Sequence, residues 1–164
     1  MKKAVQIEYL FLDLQTCDRC VGTDKVLEEV IAVISPALDL AGYSVEYRKI
    51  EISTAKLAEE YHFLSSPTIL VNGQDICASV KENACGCCGQ ISGTDVDCRV
   101  FEYEGKAYEV PPKEMLADAI LREVFSPRGT TKAPVYILPD NLKTFFAGKA
   151  KKQGCCCGTD CGCC

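Results

Sequence analysis

"VQIEYLFLDLQTCDRCVGTDK" (residues 5–25) joins an apolar run to a Cys-x-x-Cys pair and then to a helical pattern. From Val5 to Leu14 the chain mixes alternation with consecutive apolar side chains, as a central strand buried on both faces does. Beyond Cys17 and Cys20, residues Val26, Leu27, Val30, Ile31, Ile34 and Leu38 share one helical face. The dithiol therefore falls where a strand ends and a helix begins. Pro36 predicts a kink or an early stop in that helix, and Gly42 predicts its end.

Downstream, "YSVEYRKIEI" alternates like a second strand, with Val45, Tyr47, Ile50 and Ile52 facing inward. Ser53 is placed to cap a short helix, "TAKLAEEYHF". "SSPTILVNGQDI" reads as a proline-led strand closing in an Asn-Gly hairpin turn. Residues 77–98 then lose apolar periodicity and are rich in Gly, Cys, Ser and Asp, so they read as an inserted loop. "CRVFEYEGKAYEV" predicts a hairpin turning at Glu104-Gly105. Pro111 and Pro112 open a helix that buries Met115, Leu116, Ala119, Ile120 and Val124. "APVYILP" predicts a short strand and "DNLKTFF" a short helix capped by Asp140 or Asn141; "AGKAKKQG" leads flexibly into "CCCGTDCGCC". The organisation is a domain over 1–125 with a Cys-rich insertion at 77–98, an extension over 126–150, and a flexible tail over 151–164.

The 164 residues suffice for one core, and 18 basic against 23 acidic residues give a net charge of −5. That balance argues against nucleic acid or a membrane surface as partner. No apolar run approaches a membrane span, and the start "MKKAVQIEYLFLDL" is interrupted by Glu8 and Asp13, unlike a signal peptide. The expectation is a cytoplasmic protein. In such a compartment thiols stay reduced, so 13 cysteines point to metal binding or redox chemistry rather than structural disulfides.

"TCDRC" at a strand–helix junction, with "SSPTILVNG" downstream, resembles the thioredoxin superfamily over roughly residues 4–125. The resemblance implies an α/β, thioredoxin-like fold, a central mixed sheet flanked by helices. It also implies a redox dithiol at a helix N-terminus facing a cis-proline loop, which makes Pro67 the third site residue and its loop an edge for an extended substrate. A small thioredoxin-like group whose members end in a "NLKTFF"-type segment is also similar. The chain departs from the common pattern in having no Trp and no Pro or Gly between the two cysteines. That departure puts docking of the usual reductase in doubt.

A helix N-terminus favours thiolate, so Cys17 is assigned as the attacking thiol and Cys20, one turn on, as the resolving one. Asp18 and Arg19 act on them with opposite sign. The competing reading makes Cys17 and Cys20 half of a zinc site that other thiols complete. Cys85, Cys87, Cys88 and Cys98 supply enough sulfur for one soft-metal site, and adjacent cysteines suit linear or trigonal ions. Cys155, Cys156, Cys157, Cys161, Cys163 and Cys164 form a further set that can capture an ion, relay electrons or act as a passive scavenger. Cys77 reads as a plain buried cysteine and the single His62 as a packing residue.

Two functions follow. One is a thiol–disulfide oxidoreductase using Cys17 and Cys20 in soft-metal or metalloid handling, such as arsenic or mercury resistance. The other is a metal or metalloid chaperone without redox turnover. No tightly bound organic cofactor is expected; the ion would be zinc, arsenite, mercuric or cuprous. The partner would be a thiol or disulfide protein substrate, or a donor of the soft metal or metalloid.

Overall fold

A computed structural model describes residues 1–77, 79–129 and 134–154. The six cysteines of 155–164 lie outside the described residues. The apolar run beginning at Val5 forms β1 (Lys3–Phe11), one of the two inner strands of a four-stranded mixed sheet. On one side β1 runs parallel to β2 (Tyr43–Glu51), in register from Lys3↔Tyr43 to Phe11↔Glu51. On the other side it pairs antiparallel with β3 (Thr68–Val71), which turns back into β4 (Gln74–Asp75). The helices α1 (Asp18–Leu40), α2 (Ala55–Glu60) and α4 (Lys113–Phe125) complete this α/β body. Burial of Ile7, Tyr9, Leu10 and Phe11 on β1 explains the near-continuous apolar reading there. No helix among the described residues is long and apolar enough to cross a membrane.

Several expectations are corrected by packing. α1 continues through Pro36, because the proline sits on the solvent face, where the carbonyl it leaves unpaired is open to water. Thr54, not Ser53, caps α2, its hydroxyl accepting from Leu57 N at 3.2 Å. Both hairpins turn where expected, with Asn72-Gly73 and Glu104-Gly105 all at positive φ.

The segment 77–98 is not a loop. It contains β5 (Lys81–Ala84) and α3 (Gly86–Ser92) and enters β6 (Asp97–Tyr103), which turns into β7 (Lys106–Tyr108). β5, β6 and β7 form a second, antiparallel sheet. The helical periodicity was hidden because the buried positions of this stretch are Cys85, Cys88 and Ser92 rather than aliphatic residues.

The C-terminal extension differs too. Residues 134–139 form no strand; Tyr136 ties them down by donating to Phe63 O at 2.7 Å and stacking on His62. α5 (Asp140–Gly154) is longer than expected and takes in residues 151–154, assigned above to the flexible tail. Leu142, Phe145 and Gly148 are its buried positions, and Gly148 rests on the backbone of Ser92 in α3. A Cβ at Gly148 would overlap Ser92 O, whereas at Gly154 it would meet nothing within 4 Å. Gly148→Ala is therefore expected to cost roughly 1–3 kcal/mol by overpacking, read as a lowered urea midpoint, while Gly154→Ala leaves the midpoint in place.

Candidate metal centre

The junction between β1 and α1 is shaped by Asp13. Its carboxylate accepts from Gln15 N, Thr16 N and Thr16 Oγ1 at 2.8, 2.6 and 2.9 Å. This turn delivers Cys17 to the N-cap of α1, where its sulfur accepts from Cys20 N at 3.5 Å. Tyr9, fully buried on β1, donates its phenol to Cys20 O at 2.6 Å and pins the first helical turn to the sheet. Both thiols are buried.

The inserted segment brings three more sulfurs to this point. Cys85 caps α3, its amide donating to Val96 O at 2.8 Å; Cys88 follows one turn later, and Cys98 comes from β6. The sulfurs of Cys17, Cys85, Cys88 and Cys98 all lie within 4.8 Å of one another, and all four residues are buried. Cys88 Sγ is 3.9 Å from Cys17 Sγ and 3.4 Å from Cys98 Sγ. A tetrahedral centre with ~2.3 Å metal–sulfur bonds has edges of about 3.8 Å, so the spacing suits one ion.

The remaining predicted residues divide differently. Cys20 faces Ser66, its sulfur 3.4 Å from Ser66 Oγ, and stands outside the four. Cys87 is half-buried and turns toward Asp18, 4.0 Å from Oδ2. Cys77 is buried apart from the cluster, and burial pushes its thiol up to about 12. The Ser66–Pro67 peptide is cis and lies beside the dithiol: Ser66 Oγ accepts from Leu12 N at 3.1 Å, and Ser66 O accepts from Arg99 N at 2.7 Å. The loop edge is thus already paired with β6.

Two arginines fasten β6 over Cys17. Arg19 donates to Cys98 O at 2.9 Å, Arg99 O at 3.3 Å and Glu109 Oε1 at 2.8 Å, so it faces β6 rather than the dithiol. Arg99 is fully buried and reaches Asp75 Oδ2 at 2.7 Å, Thr68 Oγ1 at 3.2 Å and Ser79 O at 2.9 Å. The two guanidiniums hold the thiols of the insertion against the first sheet.

Crowded sulfurs cannot all carry charge by themselves. Contacts from Cys20, then Cys85, Cys88 and Cys98, hold Cys17 far below the ordinary thiol range. The same Cys17 thiolate, with burial behind it, pushes Cys20 far up, and with Cys85 it does the same to Cys88. Cys98 is raised by Cys17, Cys85 and Cys88 in turn. Cys85 settles at about 6: Cys17 raises it, and Cys88 and Cys98 together outweigh that. Without a metal, Cys17 carries negative charge, joined by Cys85 above about pH 6, and Cys88 and Cys98 stay as S–H donors; a cation allows those two to ionise.

The geometry shows what the sequence reading missed, namely that Cys17, while still in contact with Cys20, joins the insertion. The available signal was a second Cys-x-x-Cys, Cys85 to Cys88, at the start of its own helix.

Comparison with known families places the chain. It belongs to the family described as a domain of unknown function, DUF2703, whose model matches residues 5–120. The match takes in all four clustered cysteines and Cys20, and stops before α5. No curated protein and no solved structure matches the chain.

Arg99→Leu tests the fastening. Losing the buried ion pair is expected to cost roughly 3 kcal/mol. If the loss falls on local opening of β6, alkylation of Cys20 and Cys98 accelerates by up to about 100-fold, since 1.4 kcal/mol is tenfold.

Proposed function

We propose that the chain is a thioredoxin-like protein whose four-cysteine centre binds one thiophilic ion. The observation that carries this reading is the convergence of Cys17, Cys85, Cys88 and Cys98 from three separate segments onto one buried point. An all-sulfur donor set selects soft ions, and four sulfurs at tetrahedral spacing suit zinc first, with cuprous, mercuric and arsenite ions as lower-coordinate competitors. The element order from β1 to β4, with the dithiol at the start of α1 and a cis-proline loop beside it, supports the thioredoxin-like assignment. The closed site favours holding an ion over turning over a protein substrate. Such a centre fits a metal or metalloid chaperone in a cytoplasmic setting, including arsenic or mercury resistance.

A second reading, thiol–disulfide exchange through Cys17 and Cys20, is favoured by one observation: Cys17 caps α1 and accepts the Cys20 amide. The two readings compete for the same sulfur. Oxidation of Cys17 into a Cys17–Cys20 disulfide removes its thiolate from the four-sulfur set, so ion loading and disulfide formation oppose each other.

Competition titration with a chromophoric zinc chelator, under anaerobic reducing conditions, separates them. Cys17→Ser and Cys88→Ser are each expected to weaken the tightest zinc by roughly 100-fold or more, since even outer-shell changes cost 10–100-fold. Cys20→Ser is expected to retain it. Loss of zinc in Cys20→Ser equal to that in Cys17→Ser would overturn the four-cysteine centre. Loading is also expected to release protons to an indicator dye, because bound thiols must ionise, so affinity falls as pH is lowered.

A further inference from the structure

The ion centre is buried, yet one of its ligands borders an open surface. A cleft of about 530 Å³ runs beside α3, lined among others by Cys85, Gly86, Gly89, Gly93, Asp95 and Asp97. Of the four centre cysteines, Cys85 is the one that lines it. Next to Cys85, Gly86 leaves the α3 wall open, since a Cβ there would meet nothing within 4 Å, so a backbone can approach closely at that point.

The end of α5 sits at the far rim of the same cleft. Lys152 donates its ammonium to Gln90 O, and its Cε lies so near Gly93 that a Cβ there would come within 2.9 Å. Gly148, one turn earlier, rests on Ser92. These contacts fasten the last described turn of the chain to the C-terminal end of α3. Ten residues follow, six of them cysteine. A chain of ten residues reaches at most about 33–36 Å. The path back along α3 from Gln90 to Cys85 is roughly 8 Å at 1.5 Å per residue.

We infer that residues 155–164 dock in the α3 cleft and pass a thiophilic ion to the four-cysteine centre through Cys85. The inference rests on the ion-binding reading above and adds the donor and its route. Transfer is ligand exchange. Each centre thiol that still carries a proton gives it to a departing tail thiolate as it bonds to the ion; a centre sulfur already ionised, as Cys17 is, bonds directly, and the tail thiolate it displaces takes its proton from solvent. No sulfur changes oxidation state. Cys85 bonds first, and Cys17, Cys88 and Cys98 follow within the closed cluster.

The test uses full-length, fully reduced chain given one equivalent of zinc. Unprotected thiols are alkylated at intervals, and the protected cysteines are mapped by mass spectrometry. Tail cysteines are expected to gain protection first and to lose it as Cys17, Cys85, Cys88 and Cys98 gain it. With Cys155, Cys156, Cys157, Cys161, Cys163 and Cys164 all replaced by serine, the centre is expected to fill on the order of 10-fold more slowly, because an intramolecular donor at millimolar effective concentration is lost. Gly86→Leu fills the cleft where a Cβ meets nothing within 4 Å. That variant is expected to leave tail capture intact and slow the second phase alone. Filling at the unmodified rate in the serine-tailed chain would overturn the inference while leaving the ion centre standing. So would zinc that stays on the tail at equilibrium in the unmodified chain. A centre unprotected in every variant at excess zinc would overturn the centre itself, and the inference with it.

Discussion

Four sulfurs held within 4.8 Å in a buried pocket set a charge problem that governs this molecule. One thiolate is tolerated there, because neighbouring S–H groups point at it and a helix N-terminus lies behind it. A second thiolate is opposed by the first at short range and low polarisability, and a third more so. The cluster is therefore poised between one or two negative charges without a cation and four with one. Its other features follow from keeping that point closed. The insertion carries three of the sulfurs, β6 is held across Cys17 by two arginines, and Tyr9 anchors the helix turn that presents the fourth.

Linking the two sheets through this point also makes the insertion part of the scaffold. β5, α3 and β6 have few aliphatic side chains of their own, and their buried face is largely cysteine, serine and arginine. A segment of that kind gains little from apolar burial. It depends on hydrogen bonds to charged groups, such as those of Arg19 and Arg99, and on whatever its sulfurs hold. A bound ion would contribute folding free energy there directly, as structural metal sites do.

The first half of the architecture was legible because it is written in aliphatic periodicity. β1, α1, β2 and the two hairpins follow from Val5 to Leu14, from the Val26–Leu38 face and from the Asn-Gly and Glu-Gly turns. The insertion was illegible because its helical period is carried by Cys85, Cys88 and Ser92, which no hydrophobic template counts. α5 was cut short for a related reason: Gly148 reads as a breaker in sequence and serves as a contact surface in space. At the centre, the residue types and their soft-metal chemistry could be read directly. The partition could not, because whether Cys17 faces Cys20 or Cys88 depends on where β6 lies, and Arg19 and Arg99 decide that from distant positions in the chain.

The hydrogen bond from Arg99 N to Ser66 O has a consequence for partners of the first sheet. On the thioredoxin-like reading proposed above, that carbonyl, beside Pro67, is the edge an extended chain would use next to the dithiol, and it already has a tethered occupant. An incoming peptide competes with a strand of the same polypeptide, present at millimolar or higher effective concentration and reinforced by a buried guanidinium. Weak, transient encounters lose that contest. The loop is guarded by kinship: the molecule admits at this edge only what its own β6 can be made to yield to.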